Sequence, residues 1–197
     1  MRARTRLLSA DTPADPGWLS ALEVQMAEHG EALAAARTSA VSALEAVLSN
    51  GADGVFPRPS IALSDADQTD LVGRLRASRA TDRAAGRATA GPHRQDLQVT
   101  HADKGVPAAL ASTGEQKALL VSILLAHAAL VSARTGRVPL MLLDEAVAHL
   151  DPQRRRALFG RLADLGGQVW LTGTDQALFE GLEAARFGVV DGSISPG

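Results

Sequence analysis

Between Asp15 and Asn50, Trp18, Leu22, Met26, His29, Leu33, Ala36, Ala40, Leu44 and Val47 recur every three or four positions. That spacing predicts one long helix with a single apolar stripe, opened at Asp15-Pro16 and stopped at Asn50-Gly51. A helix of this length must pack on a partner helix or project from the body. Gly51–Pro59 is turn-rich. Ser64–Arg83 then reads as a second helix, with Ser64 or Asp65 as its N-cap and Leu71, Val72 and Leu75 on its apolar side.

The pattern changes near Ala88. "ATAGPHRQDLQVTH" predicts two short extended segments around a Gly-Pro turn. Ser112–Arg134 is an apolar helix, Arg137–Leu143 a buried strand, Asp151–Leu165 a helix and Gln168–Thr172 a second buried strand. Gln176–Ala184 predicts a short helix, and Arg186–Val190 a last strand closing at Asp191-Gly192. Helices alternating with short apolar strands predict an α/β fold with a parallel sheet. The chain therefore divides near Thr89, into a helical, arm-like lobe over 1–88 and an incomplete α/β layer over 89–197.

Composition narrows the picture. The chain has 197 residues, 46% of them hydrophobic, enough for one sizeable core or a core plus a helical lobe. A formal net charge of -2 excludes a uniformly basic nucleic-acid coat but not a local patch. Arg74, Arg76, Arg79, Arg83 and Arg87 make such a run, either a solvated helix face or a phosphate-contacting surface. The absence of cysteine excludes disulfides and cysteine-bound zinc. The start of the chain does not read as a secretory signal. The apolar run around Ala118–Ser132, broken by Ser122 and His127, reads as too short for a membrane span, so a cytoplasmic protein is expected. Sparse aromatics and no tyrosine argue against a base-stacking platform.

Two stretches carry candidate chemistry. In "VPLMLLDEAVAHLD", Val138–Asp151, a strand runs directly into Asp144 and Glu145. Ligands of open parallel sheets bind at the carboxyl ends of strands. There one carboxylate can hold Mg²⁺ and its neighbour can polarise a water. This is the Walker B arrangement, although an ordinary polar strand end has the same look. Asp151 is placed to cap the following helix. In "ASTGEQKALL", Ala111–Leu120, Ser112, Thr113 and Gly114 precede a helix whose first turn holds Glu115, Gln116 and Lys117. The stretch fits a capping box, and it equally fits a phosphate site built from free N–H groups. His93 reads as structural in its Gly-Pro turn, His127 as a core or interface residue, and Arg154, Arg155 and Arg156 as a solvated face or a DNA contact.

The order "STGEQK", "LMLLDE", "HLD", "QVWLTGTD" resembles the catalytic half of an ABC-type ATPase: signature motif, Walker B, D-loop and switch strand. "GPHRQDL" at Gly91–Leu97, "LLDEAVAHLDPQRR" at Leu142–Arg155, "GGQVWLTGTD" at Gly166–Asp175 and the opening "RARTRLL" are similar to the RecF family, in its C-terminal half or so. The resemblance implies an incomplete P-loop NTPase sheet behind a helical lobe. It also implies ATP-dependent dimerisation, binding to single-stranded or gapped DNA, and work beside RecO and RecR in loading a recombinase at gaps. Carried over by position, Ser112, Thr113 and Gly114 would meet the γ-phosphate of ATP held by the opposing subunit, within a signature motif completed by Gln116 and Lys117. Asp144 would serve Mg²⁺, Glu145 would orient the hydrolytic water, and Asp151 would lie at the dimer seam. Thr174 occupies the switch position, where a histidine is usual.

A larger departure is that no G-x-x-x-x-G-K-[ST] occurs; "ADKGVPA" around Lys104 lacks the glycine spacing. The chain alone is therefore expected neither to bind ATP tightly nor to hydrolyse it. A non-catalytic helical interaction module and a transporter nucleotide-binding fragment are the alternative readings.

Overall fold

The computed structural model describes residues 1–10, 15–51, 54–64 and 69–197. The chain forms two compact units that interleave in sequence: Met1–Ser49 with Ser60–Thr100, and Asn50–Pro59 with His101–Gly197.

The first unit is built on α1 (Arg2–Leu8) and the long α2 (Pro16–Asn50). The buried side of α2 is Leu19, Glu23, Ala27, Gly30, Ala34 and Leu48, while Trp18, His29 and Leu33 are exposed. The contact face is thus displaced by one position from the stripe that apolar spacing predicts. Size explains it. A Cβ on Gly30 would lie 2.6 Å from Leu71 Cδ2, so only a small residue admits the neighbouring helix. Ala27 accordingly clusters with Leu71 and Leu75, with Met26 and Val72 against them.

Among the described residues, the predicted single helix over Ser64–Arg83 is two short helices, and a strand precedes them. β1 (Pro59–Leu63) occupies its approach, and Ser64 closes that strand by donating its N–H to the Asp96 carbonyl at 2.8 Å. Asp65, the alternative cap, lies outside the described residues. α3 (Leu71–Ala77) is instead capped by Asp70, whose carboxylate accepts from Gly73 N at 3.0 Å. It stops at Ser78, and α4 (Arg79–Ala85) follows at once. Of the two predicted extended segments after Ala88, one forms: β2 (Leu97–His101), preceded by a single 3-10 turn at Pro92–Arg94.

Arg4 explains the break between α3 and α4. Its guanidinium is fully buried, donating to Glu23 Oε1 at 2.9 Å, to Asp82 Oδ2, to the Leu75 carbonyl and to Ser78 Oγ. Arg79 donates to the same Glu23 at 2.6 and 3.1 Å, and Thr89 donates its N–H and hydroxyl to Asp82. Burial alone raises the Glu23 carboxyl, but the bonds from Arg79 and Arg4 outweigh it and hold the pKa below the usual range. At Asp82 burial is likewise outweighed, by Thr89, Arg4 and Ser78.

The second unit contains the short strand β3 (Val106–Pro107). α5 (Thr113–Thr135) then leads to β4 (Met141–Leu143), α6 (Pro152–Leu165) and β5 (Val169–Leu171). β4 and β5 are parallel, with Met141 opposite Val169, Leu142 opposite Trp170 and Leu143 opposite Leu171. Such a pair needs a crossover, which α6 supplies. Val121 and Leu125 of α5, Leu158 and Leu162 of α6, and Met141 and Leu143 form the core with Phe56, Val147 and Leu150. The result is an open α/β layer.

Four expectations change here. α5 has 23 residues and is long and apolar enough, by length and composition, to cross a bilayer, so its apolar run is not too short. In this fold that apolarity covers β4 instead, and His127 faces outward rather than into the core. The predicted helix Gln176–Ala184 is only a 3-10 turn, Gln176–Phe179. The final strand β6 (Phe187–Val190) does not end the fold, because β7 (Ser193–Pro196) returns antiparallel to it. Asp191 and Gly192, at φ 49° and 77°, make the two-residue turn that Asp-Gly favours.

Replacing Arg4 with methionine removes the cation shared by two buried carboxylates, leaving Glu23 to Arg79 alone and Asp82 to the neutral donors Thr89 and Ser78. The expected cost is about 3–5 kcal/mol in urea unfolding at pH 7. Because both carboxyls titrate below their ordinary values, their stabilisation is present above about pH 4 and lost as pH falls through the folded-state pKa values. The gap between Arg4→Met and the parent should therefore narrow in acid. A variant within about 1 kcal/mol of the parent at pH 7, the scale of an ordinary single substitution, contradicts this account.

Candidate functional site

The parallel register of β4 and β5 brings two strand ends side by side. Thr172 N donates to the Leu143 carbonyl at 3.1 Å, which sets the Thr172 side chain beside the residues leaving β4. Its hydroxyl donates to Asp144 Oδ1 and accepts the Glu145 N–H at 3.2 Å. Thr172 thus bridges both acidic residues singled out in the sequence. Glu145 sits at φ 50°, a left-handed conformation uncommon for a residue with a side chain, and its backbone turns the chain sharply out of the strand. Asp144 is exposed and Glu145 half-buried.

The loop from Glu145 runs to Asp151, which caps α6 by accepting from Arg154 N at 2.9 Å. That backbone bond, with the Arg154 charge nearby, lowers the Asp151 pKa despite a small opposing burial effect. Arg154 is partly buried, pairing with Asp151 and reaching the Val55 carbonyl, while Arg156 stays exposed.

α5 opens against the same loop: a Cβ on Gly114 would lie 3.7 Å from the His149 carbonyl. The helix start is a complete capping box. Ser112 Oγ accepts from Glu115 N at 3.4 Å, and Glu115 Oε2 accepts from Ser112 N at 3.0 Å and from its hydroxyl at 2.8 Å. Thr113 and Gly114, one position further in, have N–H groups without intrahelical acceptors. Gln116 folds back, donating to the Ala109 and Ala111 carbonyls at 3.2 and 3.0 Å, and so fixes the segment that leads into α5. Lys117 is half-buried with no ion-pair partner among the described residues. Thr174 lies exposed beyond β5, two residues past the bridging Thr172. The structure therefore brings Asp144, Glu145 and Thr172 into one hydrogen-bonded group, and puts Gly114 against the Glu145–Asp151 loop. His93 is structural, its Nε2 3.0 Å from the Ala88 carbonyl.

Two residues here were not singled out as site residues by sequence reading. Thr172 ends the predicted strand "QVWLT", and a hydroxyl at the end of a strand parallel to the acidic one is its only signal. Lys104 pairs with Glu115 Oε1. With Lys104 as the largest influence and Ser112 next, the Glu115 pKa falls to about 2. Its contribution to stability is therefore present above the ordinary Glu value of about 4.3 and lost as pH falls toward 2. Lys104→Met should return the Glu115 midpoint toward the ordinary range, read by NMR titration of its carboxyl carbon; an unmoved midpoint rejects the ion pair.

Known proteins are similar to this chain over nearly its whole length. A family model described as "AAA domain, putative AbiEii toxin, Type IV TA system" matches residues 14–173. The DNA replication and repair protein RecF of Brucella abortus (strain 2308) is 48% identical, over 99% of this chain and 54% of that protein. RecF of Mesorhizobium japonicum is also 48% identical, over 100% of this chain and 55% of that protein. A solved structure titled "Structure of the recombination mediator protein RecF-ATP in RecFOR pathway" has a TM-score of 0.79 at 21% identity, covering 98% of this chain and 54% of that one. The chain spans about half the length of the curated relatives it matches. The likeness in fold makes β4 and β5 part of an incomplete P-loop NTPase layer. The chain belongs to this AAA-domain family and is homologous to about half the length of a RecF protein.

Proposed function

We propose that the chain acts in DNA replication and repair as a RecF-type subunit in the cytoplasm, presenting the start of α5 to ATP held by another chain. The observation that carries this reading is the Asp144–Thr172–Glu145 group at the carboxyl ends of two parallel strands, with the first turn of α5 against the adjoining loop. Carboxyl ends of parallel strands and helix N-termini are where such folds handle phosphates.

The residues present fit part of a nucleotide site. Unpaired N–H groups at Thr113 and Gly114 suit a phosphate, with the Ser112 hydroxyl beside them. Asp144 has one oxygen held by Thr172 and a second free for a cation. No group of three acidic or histidine side chains that could hold a metal occurs among the described residues, so Mg²⁺ would take its remaining oxygens from phosphate and water. When bound, ATP with Mg²⁺ supplies the phosphoanhydride and the charge that links two subunits. Glu145 then stands where a water is oriented, Asp151 at the seam between subunits, Thr174 at the switch position, and Gln116 and Lys117 complete the signature turn. With no P-loop in its 197 residues, the chain has no cradle of its own for the β- and γ-phosphates.

DNA is the proposed macromolecular ligand, with RecO and RecR as partners. The arginine run separates into two roles: Arg79 turns inward onto Glu23, while Arg76, Arg83 and Arg87 are exposed. These three are the proposed phosphate contacts.

Two measurements test the reading. Fluorescently labelled chain mixed with the complete Brucella abortus RecF should associate more tightly with ATP and Mg²⁺ than without, and Ser112→Ala should remove that gain while the chain alone shows no ATP turnover. Equal association with and without ATP, in favour of an interaction module, rejects it. Separately, Arg83→Gln and Arg87→Gln together should weaken binding to gapped duplex and make the log–log salt dependence shallower by about 0.9 for each phosphate that is no longer neutralised; an unchanged slope removes these arginines from the interface.

A further inference from the structure

The first turn of α5 contains a contradiction in charge. Helix N-termini favour anions, yet Glu115 already places a carboxylate in that turn. An unpaired carboxylate there repels a phosphate. It also competes for the Ser112 hydroxyl, whose proton it accepts at 2.8 Å.

Lys104 answers the first problem. Its ammonium pairs with Glu115 Oε1, on the oxygen that Ser112 does not use. The lysine is held in place from below. It leaves a tight turn after β2 in which the His101 carbonyl accepts from Lys104 N at 3.1 Å and Gly105 N at 2.9 Å. Gly105 closes that turn at φ 64°, a conformation that suits glycine. Lys104 lies eleven residues before Glu115, outside the signature stretch. The Lys104 side chain is 53% exposed and that of Glu115 20%. A pair this open adds little to folding stability. Its effect falls on the local field at the helix start.

We infer that Lys104 is a positioning residue for the signature helix: it neutralises Glu115, so that the amino end of α5 accepts the terminal phosphate of a nucleoside triphosphate. This rests on the reading of α5 as a phosphate-facing helix. Removing the lysine leaves a bare carboxylate against the phosphate. Removing both charges takes the repulsion away again, which separates charge neutralisation from a simple tether.

The test uses the intact chain, the complete Brucella abortus RecF and ATP with Mg²⁺ in the association assay. Lys104→Ala should weaken ATP-dependent association roughly tenfold at low salt and less at high salt, as screening predicts. Association without ATP and the thermal midpoint should stay as in the parent. Lys104→Arg should retain the parent affinity, and Lys104→Ala with Glu115→Gln should recover most of it. Parent-like association by Lys104→Ala overturns the inference while the phosphate-facing reading stands. A double variant as weak as Lys104→Ala also overturns it, by making the pair a structural tether. Insensitivity of association to ATP in the parent, or to Ser112→Ala, overturns the phosphate-facing reading and this inference with it.

Discussion

The second unit depends on the parallel pairing of β4 with β5. Aligning Leu143 with Leu171 places the next residues of both strands together, and that adjacency turns Asp144, Glu145 and Thr172 into one group. A one-residue slip would reverse the faces of the slipped strand and move Thr172 away from Asp144. α6 makes the parallel arrangement possible, and α5 and α6 bury Met141 and Leu143 on one face. Parallel sheets ordinarily have both faces covered. Here the other face carries Leu142 at 72% exposure, and Trp170, stacked on Phe187 with ring centroids 6.1 Å apart, is also exposed.

The first unit is organised by charge. Its apolar cluster is small, and Arg4 performs the joining that a larger core would do elsewhere, tying α1 to α2, to the end of α3 and to α4. Burying a guanidinium is tolerable only because two carboxylates, a carbonyl and a hydroxyl receive it. The same network withdraws Arg79 from the arginine run. The electrostatics of the lobe surface are thus decided by which cation the buried acids capture.

Much of the candidate site was readable from local sequence. Ser112 with Glu115 three residues on and Asp151 before the next helix act within a turn of themselves, and each cap forms. The strand before Asp144 and the one before Thr172 were readable as short apolar runs between turns. The α2 face was not, since the buried face includes Glu23 and Gly30, which apolar spacing passes over, and it is set by the need to admit Leu71 past Gly30. The split between α3 and α4 was hidden because its cause, Arg4, lies 74 residues before Ser78. The β6–β7 hairpin had its signal in Asp191-Gly192, which fits a turn as well as a strand's end.

The sequence by itself determined where α2, α5 and α6 start, that β4 ends in acidic residues, and the order of motifs that resembles RecF proteins. All of these are encoded within a few residues, where propensity and capping act. Only the tertiary structure decided that Thr172 joins Asp144 to Glu145, that Lys104 neutralises Glu115, and that Arg4 and Arg79 share Glu23. Those pairings are fixed by strand register, turn geometry and the need to satisfy buried charge, and none of these acts through neighbours in sequence.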